Sequence, residues 1–129
     1  MLALAAAVEA RSEHPLARAV VTGAEERGIP VPAADHFASV TGAGVSARVK
    51  GRTVAIGNAA MMEAVGADPQ PLAAAADRHR SDGAGVMLVS VDGELAGLLA
   101  VADPIRTGAK DAISALRAEG LRIVMLTGD

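Results

Sequence analysis

The chain predicts an α+β fold, an antiparallel β-sheet flanked by helices, followed by the beginning of an α/β segment. Three observations point there. Val45, Ala47 and Val49 alternate with Ser46, Arg48 and Lys50, the period of a half-buried strand. Two apolar runs, 86–91 and 94–101, flank Asp92-Gly93, a strong hairpin signal. After Asp103-Pro104 an apolar helical period precedes a nearly unbroken apolar run at 121–126, which suits a strand buried on both faces of a parallel sheet.

Taken in order, residues 1–10 are alanine-rich and helix-prone. A second helix is expected over 13–27, where Leu16, Val20 and Ala24 repeat every four residues as an apolar stripe. Ser12 is its natural N-cap, Pro15 is tolerated in a first turn whose amides have no partner, and Gly28 is a natural stop. Pro30 and Pro32 mark a loop, and the period changes from Phe37 onward. The alternating strand turns at Gly51-Arg52 and returns over 53–56. Asn58 is placed to cap a short helix at 59–65 that Gly66 ends, and Pro71 starts another running to about Ser81. Ala109, Ile113 and Leu116 give one face of a further helix, stopped by Gly120. The run at 121–126 has no obvious parallel neighbour in the chain. A domain boundary is therefore expected near Ala102-Asp103, with residues 1–102 forming one domain and 103–129 a fragment of a second. That fragment is expected to be the least stable region.

Composition narrows the function. A chain of 129 residues is one domain, or one domain and part of another. Its net charge of −3 gives no basic footprint for nucleic acid, and Phe37, the single aromatic, provides no platform for stacked bases. With no cysteine, neither a disulfide framework nor a thiolate metal site exists. No apolar stretch approaches the roughly 20 residues that span a bilayer, and no signal peptide is visible, so the segment is expected to be soluble.

Several residues carry candidate chemistry beside a plainer reading. His14, in Ser12-Glu-His-Pro-Leu-Ala17, would sit at a helix N-terminus, where the dipole favours a neutral ring able to stack on or hydrogen-bond a flat heterocycle. The plain reading is a surface histidine. Thr41-Gly-Ala-Gly-Val-Ser-Ala47 fits G-x-G-x-x-A on paper, but a strand follows rather than the required helix, which rejects a dinucleotide fold. Gly42 and Gly44 then mark a bulge or a turn at positive φ, or let backbone amides approach a phosphate or ribose. Met61-Met62 reads as core filler rather than a copper site. His36 and His79 show no metal-ligand spacing, and no Walker A sequence is present.

The segments Glu9-Ala-Arg-Ser-Glu-His-Pro-Leu-Ala17, Thr41-Gly-Ala-Gly44, Ile56-Gly-Asn58, Asp103-Pro-Ile-Arg106 and Thr127-Gly-Asp129 occur in that order. Together they resemble the cytoplasmic ATP-binding region of heavy-metal P-type ATPases, copper pumps in particular, over essentially the whole chain. Ser-Glu-His-Pro-Leu is specific to that group, Thr-Gly-Asp is shared by P-type ATPases generally, and Asp-Pro alone is weak.

The resemblance implies a P-type ATPase nucleotide-binding domain followed by a truncated haloacid-dehalogenase-like segment. It implies a nucleotide site at Glu9, His14, Gly42, Gly44 and Asn58. Glu9 would accept the adenine amino group, a role an ionised carboxylate suits because it only accepts. Glu13 stays an ordinary helix-end carboxylate, and Asn58 has the alternative role of helix cap. Asp103 and Pro104 would form the interdomain hinge, and Thr127, Gly128 and Asp129 the phosphate loop of the phosphorylation domain. The family's D-K-T-G-T aspartate, its magnesium-binding G-D-G-x-N-D and its membrane Cys-Pro-Cys are absent from these residues, so no catalytic residue and no metal site is expected in this chain.

The function so implied is ATP delivery to an aspartate outside the chain, driving metal transport from the cytoplasmic face of a membrane. Cofactors would be ATP, with Mg in the full-length enzyme only. Partners would be the phosphorylation, actuator and membrane domains, with no nucleic acid and a monomeric isolated domain. Alternatives are a stand-alone nucleotide-binding regulatory domain, against which the uncovered strand at 121–126 argues, a fragment of a soluble phosphatase, or a pump for silver, zinc, cadmium or cobalt.

Overall fold

The computed structural model describes residues 2–12, 16–102, 112–116 and 121–127, with the side chains of 102, 112–116 and 127 left aside. Helix α1 (Leu2–Glu9) and helix α2 (Ala17–Glu26) come first, followed by strands β1 (Ala34–Val40), β2 (Gly44–Val49) and β3 (Arg52–Gly57). Helices α3 (Ala59–Ala64) and α4 (Gln70–Ser81) precede β4 (Gly85–Val91), β5 (Glu94–Ala102), β6 (Ala112–Leu116) and β7 (Leu121–Thr127). The strands form one sheet in the order β1-β2-β3-β4-β5-β7-β6.

Strand alternation sorts the core into two layers. Ala47, Val49, Val54, Ile56, Val89, Leu99, Val124 and Leu126 face α1 and α2. Ala55, Leu88, Leu98 and Ala100 face the other way, onto Met61 and Met62 of α3 and Leu72 and Ala76 of α4. The methionine pair is core filler, at 2% and 0% exposure.

Turn chemistry fixes the hairpins. Asp92 and Gly93 both have positive φ (53° and 80°), as the type I′ turn requires. Lys50 and Gly51 do the same at 53° and 78°, so the β2–β3 turn sits one residue earlier than the sequence suggests. Gly28 (φ 67°) follows the end of α2 and Gly66 (φ 83°) that of α3, in the left-handed conformation that glycine adopts without strain. Leu16, rather than Ser12, occupies the N-cap of α2.

The C-terminal segment differs from expectation. The run at 121–126 does have a parallel neighbour: β7 pairs with β5, Gly97 opposite Arg122 through Ala102 opposite Thr127. Val124 and Leu126 complete the layer under α2, and an Arg27 NH2 group donates to the Met125 carbonyl at 3.1 Å. The expected helix around Ile113 is instead strand β6, antiparallel to β7. Expected to be buried on both faces, the strand buries Val124 and Leu126 under α2, while Ile123 and Met125 on its other face are only half-buried. Its edge groups are paired by β5 on one side and β6 on the other.

Candidate functional site

The strands present one end of the sheet to the C-terminus of α1, and a cleft of about 890 Å³ opens there. Its lining includes Glu9 from the end of α1, Phe37 from β1, Gly42 and Gly44 from the β1–β2 turn, Asn58 after β3, and Met87 from β4. Four of the five residues assigned to a nucleotide site by sequence, Glu9, Gly42, Gly44 and Asn58, thus share one cavity. The fifth, His14, lies outside the described residues, as does Glu13, while Ser12 and Leu16 on either side of them line the cleft.

Glu9 is 3% exposed, and its Oε2 has no hydrogen-bond partner among the described residues. Burial pushes its carboxyl up to about 7, because the ionised form loses its water without gaining a donor. The C-terminal end of α1 gives no relief, since the helix dipole is negative there. Expected as an ionised acceptor, Glu9 is therefore poised between its two forms at neutral pH. Both forms offer an acceptor, and the neutral form adds an O–H donor.

The two glycines do different work. Gly42 has φ 77°, and a Cβ on it would meet nothing within 4 Å, so its backbone is open to the cavity. Gly44 is paired in β2, directly opposite Gly57 of β3. A Cβ on Gly44 would collide with the Ile56 carbonyl oxygen and stand 2.7 Å from Gly57 Cα. The positive-φ reading holds for Gly42, whereas Gly44 is required by the close approach of two strands.

Asn58 ties these parts together. Its Oδ1 accepts from the Met61 amide at 3.0 Å, capping α3. Its Nδ2 donates to the Gly42 carbonyl at 2.8 Å, and its own amide donates to Ala43 O at 3.0 Å. One side chain thus starts a helix and holds the glycine turn at the cleft mouth.

Sequence reasoning missed Phe37, Arg11, Gly57 and Gly85, all of which line the cavity. Phe37 stands half-buried within the irregularity between Asp35 and Ala38, beside His36 at φ 54°. Being the single aromatic of the chain was the available signal. Arg11 donates to the Ala34 carbonyl at 3.3 Å. At Gly85 a Cβ would come within 2.8 Å of Leu16 Cδ1, so the missing side chain leaves room where the start of α2 meets the sheet.

Of the remaining assigned residues, Thr127 ends β7 opposite Ala102, at the same end of the sheet as the cleft. Gly128, Asp129, Asp103 and Pro104 lie outside the described residues. The exposed Asp35 carboxylate is lowered mainly by a hydrogen bond from His36 at 2.9 Å, then by the charges of His36, Arg48 and Arg11. Among the described residues no helix is long and apolar enough to cross a membrane.

Comparison with known proteins identifies the family. Residues 2–129 match the family of haloacid dehalogenase-like hydrolases. The chain is 50% identical over its whole length to a copper-transporting P-type ATPase of Rhizobium leguminosarum bv. viciae, of which it covers 15%. It is 46% identical, again over its whole length, to a silver exporting P-type ATPase of Salmonella typhimurium, of which it covers 16%. The crystal structure of the N-domain of HMA6, a copper-transporting P-type ATPase, superimposes with a TM-score of 0.59 at 31% identity, over 73% of this chain and 78% of that one. The chain belongs to the haloacid dehalogenase-like hydrolase family and, within it, to the heavy-metal P-type ATPases, with the fold of their N-domain.

Proposed function

We propose that this chain is the ATP-binding domain of a copper-type P-type ATPase. It would hold ATP by its adenine and deliver the γ-phosphate to an aspartate outside these residues. The observation that supports this best is the convergence of Glu9, Gly42, Gly44 and Asn58, up to 49 positions apart in sequence, on one cleft. Phe37, Val45, Ile56 and Met87 give that cleft apolar surface suited to a base, and Glu9 gives a polar group for the base edge. The open backbone at Gly42 and the close-packed Gly44 would leave room for ribose and phosphates, and His14 would add a stacking or hydrogen-bonding ring.

The described residues of the cleft lining fall within 9–87, which fits a nucleotide-binding domain ending near residue 102. Residues 127–129 would belong to the phosphate loop of the phosphorylation domain, with Asp103 and Pro104 at the hinge. Phosphoryl transfer is mainly positioning and charge neutralisation, so a domain that only orients ATP takes part in the mechanism. In the parent pump it would work with the phosphorylation, actuator and membrane domains at the cytoplasmic face, with Mg engaged there rather than here. The copper and silver relatives share this domain at similar identity, so the cargo would be chosen elsewhere in the pump. Pairing of β7 with β5 removes the uncovered strand as an objection to a self-contained module, and the relatives' greater length is what favours a pump domain.

Calorimetry with a non-hydrolysable ATP analogue tests the reading. Micromolar to millimolar affinity is expected, about −4 to −8 kcal/mol, with little dependence on magnesium and no phosphate release. Absence of binding at millimolar nucleotide would overturn it.

A further inference from the structure

We infer that Glu9 reads adenine as a neutral carboxylic acid, donating its O–H to N1 while its carbonyl accepts from the N6 amino group. This rests on the nucleotide reading above and specifies how its base subsite works.

The geometry leads to it in steps. Glu9 lines the cleft but is almost fully buried, and Oε2 has no donor among the described residues. Among the described residues, the cations that might hold it ionised are engaged elsewhere or exposed. Arg11 shares the cleft and donates to the Ala34 carbonyl, while Arg27 donates to the carbonyls of Gly23 and Met125. On the elements packed against α1, Arg18, Glu25 and Glu26 of α2, Asp35 and His36 of β1, Arg48 of β2 and Arg52 of β3 are all exposed. Glu13 and His14 lie outside the described residues. Burial alone already brings the carboxyl to about 7.

A bound nucleotide pushes further the same way. Its base covers the carboxyl and removes remaining water, and its polyphosphate adds negative charge to the same cavity, so both effects disfavour a carboxylate. A neutral carboxyl meanwhile carries one donor and one acceptor side by side. The adenine edge presents one acceptor, N1, beside one donor, N6, and the two patterns match. An ionised carboxylate would satisfy N6 and set lone pairs against N1.

Glutamine has the same donor–acceptor pair without a titrating proton, which makes the inference testable. Binding of ATP and of 1-deaza-ATP, in which N1 is a carbon, is measured on wild type, Glu9→Gln and Glu9→Ala between pH 5.5 and 8.5. Glu9→Gln is expected to bind ATP as wild type does at pH 6, while Glu9→Ala binds at least tenfold more weakly. Wild type should lose affinity about tenfold per pH unit above 7 relative to Glu9→Gln, a ratio that cancels the nucleotide's own titration. Replacing N1 should weaken binding about fivefold in both wild type and Glu9→Gln. If Glu9→Gln falls to the level of Glu9→Ala, or 1-deaza-ATP binds as ATP does, Glu9 acts ionised and the inference is overturned while the nucleotide reading stands. Failure of wild type to bind ATP at any pH overturns both.

Discussion

Gly44 and Gly57 stand opposite each other across the β2–β3 pair, and neither position has room for a Cβ. On Gly57 it would collide with the Ala43 carbonyl oxygen and come within 2.8 Å of Met61 Cβ. The pair brings two strands together at the mouth of the cleft and seats Asn58, the next residue, over the Gly42 carbonyl. Its backbone contacts thus shape the cleft.

Gly44→Ala is therefore expected to cost roughly 2–4 kcal/mol, because rigid backbone rather than a movable side chain lies in the way. Gly42→Ala meets no atom and should cost only about 1–2 kcal/mol, from the left-handed backbone. Urea unfolding of the two variants checks this ranking, and equal losses would contradict it.

Asn58→Ala removes both the cap of α3 and the donor to Gly42. The expected loss is about 1–2 kcal/mol, with weaker ATP binding as the glycine turn loosens. Asn58→Asp keeps the cap acceptor and loses the donor. It should retain most of the stability while sharing the binding defect, which thermal melts and calorimetry on both variants would show.

The buried Glu9 carboxyl makes stability depend on pH. Its folded-state value of about 7 lies above the ordinary 4.5, so between those values the folded state binds more protons than the unfolded one. Stability from this group is fully present below pH 4.5 and is lost as pH rises through 7, a fall of about 3 kcal/mol. Denaturant midpoints from pH 4.5 to 8 should show this fall in wild type. In Glu9→Gln this fall should be absent, leaving the variant more stable than wild type at pH 8.

The placement of β7 against α2 reverses the expectation of a weak C-terminal piece for that strand. Val124 and Leu126 are each 1% exposed, so amide exchange there should be as slow as at Val89 and Leu99. Leu126→Ala should cost about 2–4 kcal/mol. Because a Cβ on Gly23 would press on the flexible end of Leu126, Gly23→Ala should be partly tolerated in the Leu126→Ala background. A double-mutant cycle measures that coupling, and strict additivity would place β7 elsewhere.

The sequence by itself determined what depends on neighbours a few residues away. The β2 alternation, the Asp92-Gly93 turn, the Asn58 cap and the stops at Gly28 and Gly66 all stand as read, because side-chain period and positive φ are properties of short segments. The meeting of Glu9, Gly42, Gly44 and Asn58 in one cleft was legible too, through motif order rather than any local rule. Only the tertiary structure decided what covers 121–126, since a strand's partner is set by whichever distant edge satisfies its backbone groups. It alone gave Gly44 its reason, a carbonyl on the neighbouring strand, and brought Phe37 to the cavity. It also raised the Glu9 carboxyl, because desolvation is the sum of everything packed around a group and no stretch of sequence contains that sum.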